Sequence, residues 1–251
     1  MIKCIFLCGI IGYIGEENAA PILLNGLKRM EYRGYDSAGM ATLTDVGIIL
    51  LKDEGKISEI DKKMNFLDME GTIGIAHTRW ATHGGVSREN AHPHVSCGLE
   101  VAVNHNGIIE NHHQLREKLK GEGHEFNSDT DSEIIAHLLE KYYNESGKVK
   151  KALLTAVQDL KGTFSFQAIF KSEPNVLIGA RKDAPLVIGI GKNGNYLASD
   201  ILSFIDHTDK VKFLDNQEIV IMRGRRMNIY TFNGERVVKE VTHVAWEAKE
   251  T

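Results

Sequence analysis

The sequence predicts a single α+β domain, and three observations carry that prediction. The middle of the chain reads as successive amphipathic helices. From Gly162 onward, short apolar stretches are separated by the turn sequences KSEPN, GKNGN, RGRR and FNGE, the regular spacing of an antiparallel sheet. No internal repeat, low-complexity tract or Pro- or Ser-rich linker divides the 251 residues.

The elements follow in order. Cys8 to Ile14 is an apolar run that reads as a buried first strand. Glu16 to Met30 places Ala19, Ile22, Leu23, Gly26, Leu27 and Met30 at helical spacing, with Pro21 in a first turn that needs no N–H from it. EYRGYDSAG (31–39) breaks that period and leads into apolar stretches at 39–44 and 47–52 that read as paired strands. A weak helix over 57–68 precedes a strong strand from Gly71 to Thr78, and Leu99 to Asn104 is another strand with alternating apolar residues. Between these two strands lies RWATHGGVSRENAHPHVSCG (79–98), a polar loop of a length usually kept for function. Helices are then predicted over Asn111–Lys120, Thr130–Tyr143 and 148–160. The second is opened by Ser128 as its cap, with acids in its first turn.

Composition narrows the class of partner. Hydrophobic residues at 42% and charged residues at 25% are ordinary globular values, against disorder, coiled coil or collagen-like repeats. The net charge of -4, with neither sign gathered in a block, gives no nucleic-acid or anionic-membrane footprint and favours small molecules or protein partners. Cys4, Cys8 and Cys97 are an odd number without CxxC spacing, so neither a disulfide framework nor a thiolate zinc site is suggested, and a reducing, cytoplasmic setting fits. The opening MIKCIFLCGIIGYIG superficially resembles a signal peptide or a lipid-attachment site. It is interrupted by Gly9, Gly12 and Gly15, and is far short of the roughly 20 residues of a membrane span.

Several residues could carry chemistry, each with a plainer alternative. Cys8 heads a strand and is followed by Gly9, which would leave room beside the sulfur for a substrate carbonyl; a cysteine in an apolar strand is more often an inert hydrophobe. GIAHTRWATHGG (74–85) ends a strand and delivers His77, Arg79, Trp80, Thr82 and His83 into a loop. The planar fork of Arg79 suits a carboxylate, though a solvated loop with one stacked Trp would look the same. His92 and His94 flank Pro93 without acid or cysteine partners at metal-ligand spacing, and no metal is expected. In VAVNHNGIIEN (101–111), Asn106 and Gly107 end a strand where a side-chain amide and a backbone N–H could address one oxygen, or form a hairpin turn. Asp131 sits in a predicted first helical turn, where an acid also serves the helix dipole.

Taken together and in order, CGIIGYIG, EYRGYDSAG, AHTRWATHG, NAHPHV, HNGIIEN and SDTDSE closely resemble the glutaminase domains of class II glutamine amidotransferases, of the glutamine-fructose-6-phosphate aminotransferase type. The likeness extends through RKDAPLVIG and YLASD. Trp80 favours that type over the amidophosphoribosyltransferase type. The resemblance implies an N-terminal-nucleophile hydrolase fold, a four-layer αββα sandwich of two antiparallel sheets. It makes Cys8 the nucleophile and the α-amine of Cys8 the base, with Asn106 and Gly107 as the oxyanion hole. Arg79 then clamps the α-carboxylate of L-glutamine and Asp131 its α-ammonium. Trp80 gates the pocket, Thr82, His83 and His92 shape the loop, and Arg33 supports the amino terminus. No cofactor is implied.

Two departures from the family pattern shape the remaining expectations. MIKCIFL (1–7) covers the required amine and reads as a leader, from a mis-assigned start at Leu7 or a propeptide. The glutaminase domain then runs over 8–245, 246–251 reads as the start of a linker, and no sugar-phosphate isomerase region follows. Glutamine hydrolysis supplying ammonia to glucosamine-6-phosphate synthesis therefore calls for a separate isomerase domain or subunit, through which a homo-oligomer could also form. A glutaminase serving another acceptor, or an inactive glutamine-binding regulatory module that keeps its leader, are the competing readings.

Overall fold

The computed structural model describes residues 8–80 and 85–244. The leader (1–7), Thr82 and His83, and the linker segment (246–251) lie outside the described residues. The chain runs β1 (Gly9–Gly15), α1 (Ala19–Arg29), β2 (Ser37–Thr44), β3 (Gly47–Glu54), α2 (Ile57–Met64), β4 (Ile73–Arg79), β5 (His94–Val95), β6 (Val101–Ile109), α3 (His112–Gly121), α4 (Glu133–Ser146) and α5 (Val149–Asp159). The strands β7 (Gly162–Phe170), β8 (Val176–Lys182), β9 (Val187–Ile190), β10 (Gly194–Ala198), β11 (Lys210–Phe213), β12 (Glu218–Arg223), β13 (Arg226–Thr231), β14 (Arg236–Val237) and β15 (Thr242–His243) follow. They form two sheets, ordered β15-β11-β9-β10-β1-β4-β2-β3 and β14-β13-β12-β8-β7-β6-β5, and every ladder is antiparallel.

Three apolar layers hold the sheets and helices together. Ile11, Tyr13, Met40 and Ala76 of the first sheet pack on Leu23 and Leu27 of α1 and Ile57 and Ile60 of α2. Val101, Val103, Phe164, Phe166 and Ile178 of the second sheet pack on α3, α4 and α5. Between the sheets, Ile14, Ile73 and Ile75 meet Ala102, Ile169, Leu177 and Val220. Because strand side chains alternate in direction, each strand feeds a helix-side layer with one set of residues and the inter-sheet layer with the other. The arrangement is the four-layer αββα sandwich that the family likeness implies. No described helix is long and apolar enough to cross a membrane.

Most element boundaries agree with the sequence reading to a few residues, and the exceptions have local causes. The first helix starts at Ala19, not Glu16, because the Asn18 side chain accepts from Ala20 N and caps it there. Its Pro21 still falls in the first turn. The strand expected over Leu99–Asn104 runs from Val101 to Ile109, so Asn106 and Gly107 lie within β6 and form neither a strand end nor a hairpin turn. The helix expected from Thr130 begins at Glu133. Ser128 does not cap it: Asn127 N, Ser128 N and Ser128 Oγ all donate to the Glu133 carboxylate. Arg116 meanwhile holds the carbonyls of Ser128 and Thr130. The stretch 127–132 is thereby kept out of the helix, and Asp131 precedes the first turn instead of occupying it.

The inter-sheet layer should carry much of the stability. Ile75→Ala, at a fully buried inter-sheet position, is expected to lower unfolding free energy by about 2–5 kcal/mol. Val238→Ala, at an exposed position, should change it by no more than about 0.5 kcal/mol. Denaturant unfolding of both variants compares the two losses directly.

Candidate active site

At one end of the sandwich the inter-sheet layer changes from apolar to polar. Strand β1 lies against β4 with Gly9 opposite Thr78 and Ile10 opposite His77, which puts Cys8, just before β1, beside the end of β4. Cys8 shares the inner face of β1 with Gly12 and Ile14, whereas Gly9 faces the other way. A Cβ on Gly9 would stand 2.9 Å from both Met30 Cβ and Thr78 Cγ2. The glycine thus serves helix packing, and does not make the space beside the sulfur that the sequence suggested. The Trp80 N–H donates to Cys8 Sγ at 3.2 Å, and Sγ lies 3.6 Å from the Trp80 carbonyl.

Burial pushes the Cys8 thiol above its ordinary 9.0, while the Trp80 backbone contact and the charges of Arg79 and Arg33 pull it down. The net shift is upward. The thiol is therefore protonated at neutral pH and needs a base to become a nucleophile. Among the described residues the hydrogen-bonding partners of Sγ are the main-chain groups of Trp80, and no side-chain base touches it.

Asn106 reaches across from the second sheet. Its Nδ2 donates to the Cys8 carbonyl at 3.0 Å, and its Oδ1 accepts from His77 Nε2 at 3.0 Å. An amide oxygen only accepts, so this contact requires the proton on Nε2 of His77. His77 is held neutral by burial, with its pKa lowered to about 3. A neutral imidazole thus fixes the amide with its N–H groups directed toward Cys8. Gly107, next along β6, has φ of 129°, and a Cβ there would stand 2.0 Å from Thr163 O, so only glycine permits this approach of β6 to β7.

Charged groups surround this pair. Arg79 is buried and donates to Gly85 O at 3.3 Å; burial lowers its pKa from the usual guanidinium range, while Cys8, Asp131 and Asp36 favour its charge. Asp131 is buried as well, and its Oδ2 accepts from Ile109 N at 2.7 Å, which ties the carboxylate to the end of β6. Arg79, Arg33 and Asp36 thus act on Cys8, and Asp131 stands near Arg79. Trp80 is partly exposed and meets Tyr35 edge-on, with ring centroids 5.4 Å apart. EYRGYDSAG wraps this edge: a Cβ on Gly34 would stand 2.8 Å from Trp80 N, and Asp36 N donates to Arg79 O at 3.0 Å. Arg33 pairs with Asp200, which also accepts from Tyr32 Oη at 3.0 Å. Neighbouring Ser199 exchanges two 3.0 Å bonds with the backbone of Ile10. YLASD thus fastens the start of β1.

His92, expected among the substrate-facing residues, is buried and stacked on His77 with centroids 4.1 Å apart. Its contribution to the site runs through His77. His77, read from the sequence as delivered into the loop, lies within β4 on the face of Arg79, two residues away, and sequence reasoning gave no role to Asp36, Ser199 or Asp200.

A family model described as a glutamine amidotransferase domain matches residues 77–206. The chain belongs to that family. It is 48% identical over 241 residues to a glutamine-fructose-6-phosphate aminotransferase of Aquifex aeolicus, covering 96% of this chain and 40% of that protein. It is 46% identical over 243 residues to the enzyme of the same description from Methanothermobacter thermautotrophicus, covering 96% and 41%. The chain thus spans about two-fifths of these curated relatives. Among solved structures, glutamine phosphoribosylpyrophosphate amidotransferase from B. subtilis, complexed with ADP and GMP, superposes with a TM-score of 0.77 at 27% identity, covering 90% of this chain and 49% of that one.

The buried histidines of this amidotransferase domain make stability depend on pH. His77, His92, His94 and His105 all have folded-state pKa values depressed below 6.5, chiefly by burial. Below pH 6.5 the unfolded chain therefore binds protons that the folded chain refuses, so stability is present above that pH and lost as pH falls. Each histidine contributes about 1.4 kcal/mol per pH unit. His77, His92 and His94 together should cost up to roughly 4 kcal/mol between pH 6 and 5, with His105 adding to the loss in the same direction. Unfolding curves at stepped pH should show this, and His94→Gln should reduce the slope by about one proton.

Proposed function

We propose that this domain hydrolyses L-glutamine to glutamate and ammonia through a Cys8 thioester. The observation that carries the proposal is the convergence of Cys8 with the His77-held amide of Asn106, beside the opposite charges of Arg79 and Asp131. Arg79 takes the substrate α-carboxylate and Asp131 the α-ammonium, so charge complementarity at both ends selects an amino acid. Cys8 Sγ attacks the side-chain amide carbon, and the α-amine of Cys8, in a form of the protein that begins there, accepts the thiol proton. An α-amine titrates near 7.7 to 8.0, so a useful fraction is unprotonated at neutral pH. The raised thiol pKa and the lack of a side-chain base at Sγ among the described residues both support that assignment.

Asn106 Nδ2 and the Gly107 N–H hold the tetrahedral oxyanion. The amine returns its proton to the departing ammonia, leaving a glutamyl thioester. It then takes a proton from the water that attacks this thioester and returns it to the sulfur as glutamate leaves. By the family likeness Trp80 closes the pocket and Thr82 and His83 shape the loop, and Arg33, anchored on Asp200, keeps the amine end in place. The ammonia passes to fructose 6-phosphate on an isomerase domain or subunit, giving glucosamine 6-phosphate.

Protein with Cys8 as its first residue should release glutamate from glutamine, and full activity in molecules still carrying Met1 would overturn the α-amine base. Cys8→Ala should lose turnover yet bind glutamine by calorimetry, and Asp131→Asn should bind it measurably more weakly. Asn106→Ala is expected to lower kcat about 10²–10³-fold. His77→Phe, which leaves the amide present but unheld, should lower it less and leave KM nearly unchanged.

A further inference from the structure

Away from the candidate active site, four side chains from three separate segments point at one another. Cys97 opens the turn between β5 and β6, His124 lies three residues beyond α3, and His137 and Glu140 stand three residues apart on one face of α4. Cys97 Sγ is 3.8 Å from His124 Nδ1 and 3.8 Å from His137 Nδ1, the two Nδ1 atoms are 3.1 Å apart, and Glu140 Oε2 is 3.4 Å from His124 Nδ1. All four atoms lie within 4.8 Å of one another. Glu140 Oε2 is buried without a hydrogen-bond partner among the described residues.

We infer that Cys97, His124, His137 and Glu140 form a structural site for a zinc-like divalent ion. Zinc bonds of about 2.3 Å to sulfur and about 2.0–2.2 Å to nitrogen or oxygen, arranged tetrahedrally, give edges of roughly 3.3–3.6 Å. Four of the six separations, 3.1–3.8 Å, bracket those edges, and the other two stay within 4.8 Å. One thiolate, two imidazoles and one carboxylate are also the donor types zinc accepts, and four protein ligands close the site to substrate. Without an ion, the facing nitrogens share at most one proton and leave the Glu140 oxygen unmatched; a dication takes a lone pair from each of the four, while the Cys97 thiol releases its proton to solvent.

The surroundings fit the role. His137 turns its other nitrogen toward Glu133 Oε1, 3.7 Å away, and packs on Phe126 with ring centroids 4.3 Å apart. His137 Nε2 has no hydrogen-bond partner among the described residues, and a carboxylate closing to hydrogen-bond distance there would set the tautomer and orientation of a ligating imidazole. A surface pocket lined by Val95, Cys97, Gly98 and Gly123 opens beside the cluster and gives an ion a way in. Spacing along the chain does not show this group, because its members are 27, 40 and 43 residues from Cys97.

The test uses the full chain, stripped by a chelator under reducing conditions and titrated with Co²⁺ and then with Zn²⁺. One equivalent of Co²⁺ should give the strong visible bands of tetrahedral cobalt and a near-ultraviolet thiolate charge-transfer band, and Zn²⁺ should displace both. Cys8→Ala should keep the charge-transfer band and Cys97→Ser should lose it. Glu133→Gln should weaken binding about 10–100-fold. His124→Ala, at the more open rim, provides a second ligand variant if Cys97→Ser does not fold; circular dichroism checks folding, and Zn²⁺ should raise the Tm of the parent but not of His124→Ala. Weak six-coordinate cobalt spectra, a thiolate band unchanged in Cys97→Ser or lost in Cys8→Ala, or equal Zn²⁺ stabilisation of His124→Ala would each overturn the inference.

Discussion

A one-residue slip of β1 against β4 would turn Cys8 from the inter-sheet layer to the helix-covered face, and the candidate site would not form. Several independent contacts resist that slip. Tyr13 and Ile11 are buried under α1, Ile14 is buried between the sheets, and Ser199 bonds the backbone of Ile10 from the neighbouring strand. Gly12 belongs to the same register, since a Cβ there would stand 2.0 Å from Gln167 Oε1 of the opposite sheet. The position of the thiol is thus fixed by packing along the whole of β1.

A second constraint is electrical. The polar end of the inter-sheet layer holds Arg79 in a region shut off from water, and protonated imidazoles beside it would be repelled. The structure keeps His77, His92, His94 and His105 neutral chiefly by burial, and Arg79 lowers the pKa of His77, His92 and His94 further. Neutrality leaves His77 as a fixed hydrogen-bond donor to Asn106. It also leaves the nearby charges to Arg79, Arg33, Asp131 and Asp36.

The segment 124–133 links that electrostatic frame to the Cys97 cluster. Glu133 binds Asn127 and Ser128 while facing His137, and Ser128 Oγ contacts Thr130 Oγ1, which in turn lies 3.0 Å from His94 Nε2. Asp131 is carried by the same short stretch. Its carboxylate is therefore placed by a network that spans two loops and a helix, and fixing His124 and His137 would stiffen that network at its far end.

Local chemistry in the sequence was sufficient to determine the α+β class, the paired strands around 44–47, the run of antiparallel strands after Gly162 and the family likeness carried by CGIIGYIG, AHTRWATHG and HNGIIEN, because strand alternation, helix periodicity and turn residues act over a few positions. Cys8, Arg79, Asn106 and Asp131 were legible as candidates for the same reason: each sits in a short, chemically unusual string. What only the tertiary structure decided depends on contacts between distant segments. His77 became the holder of Asn106 through the meeting of two sheets, and Asp131 was drawn out of the helix by the Glu133 carboxylate and the backbone of Ile109. Gly9 turned out to serve α1 packing, and Cys97 joined His124, His137 and Glu140 only because the turn after β5 and the segment after α3 meet one face of α4. No local periodicity encodes which remote strand or helix will stand opposite a given side chain; that is set by the packing of layers as a whole.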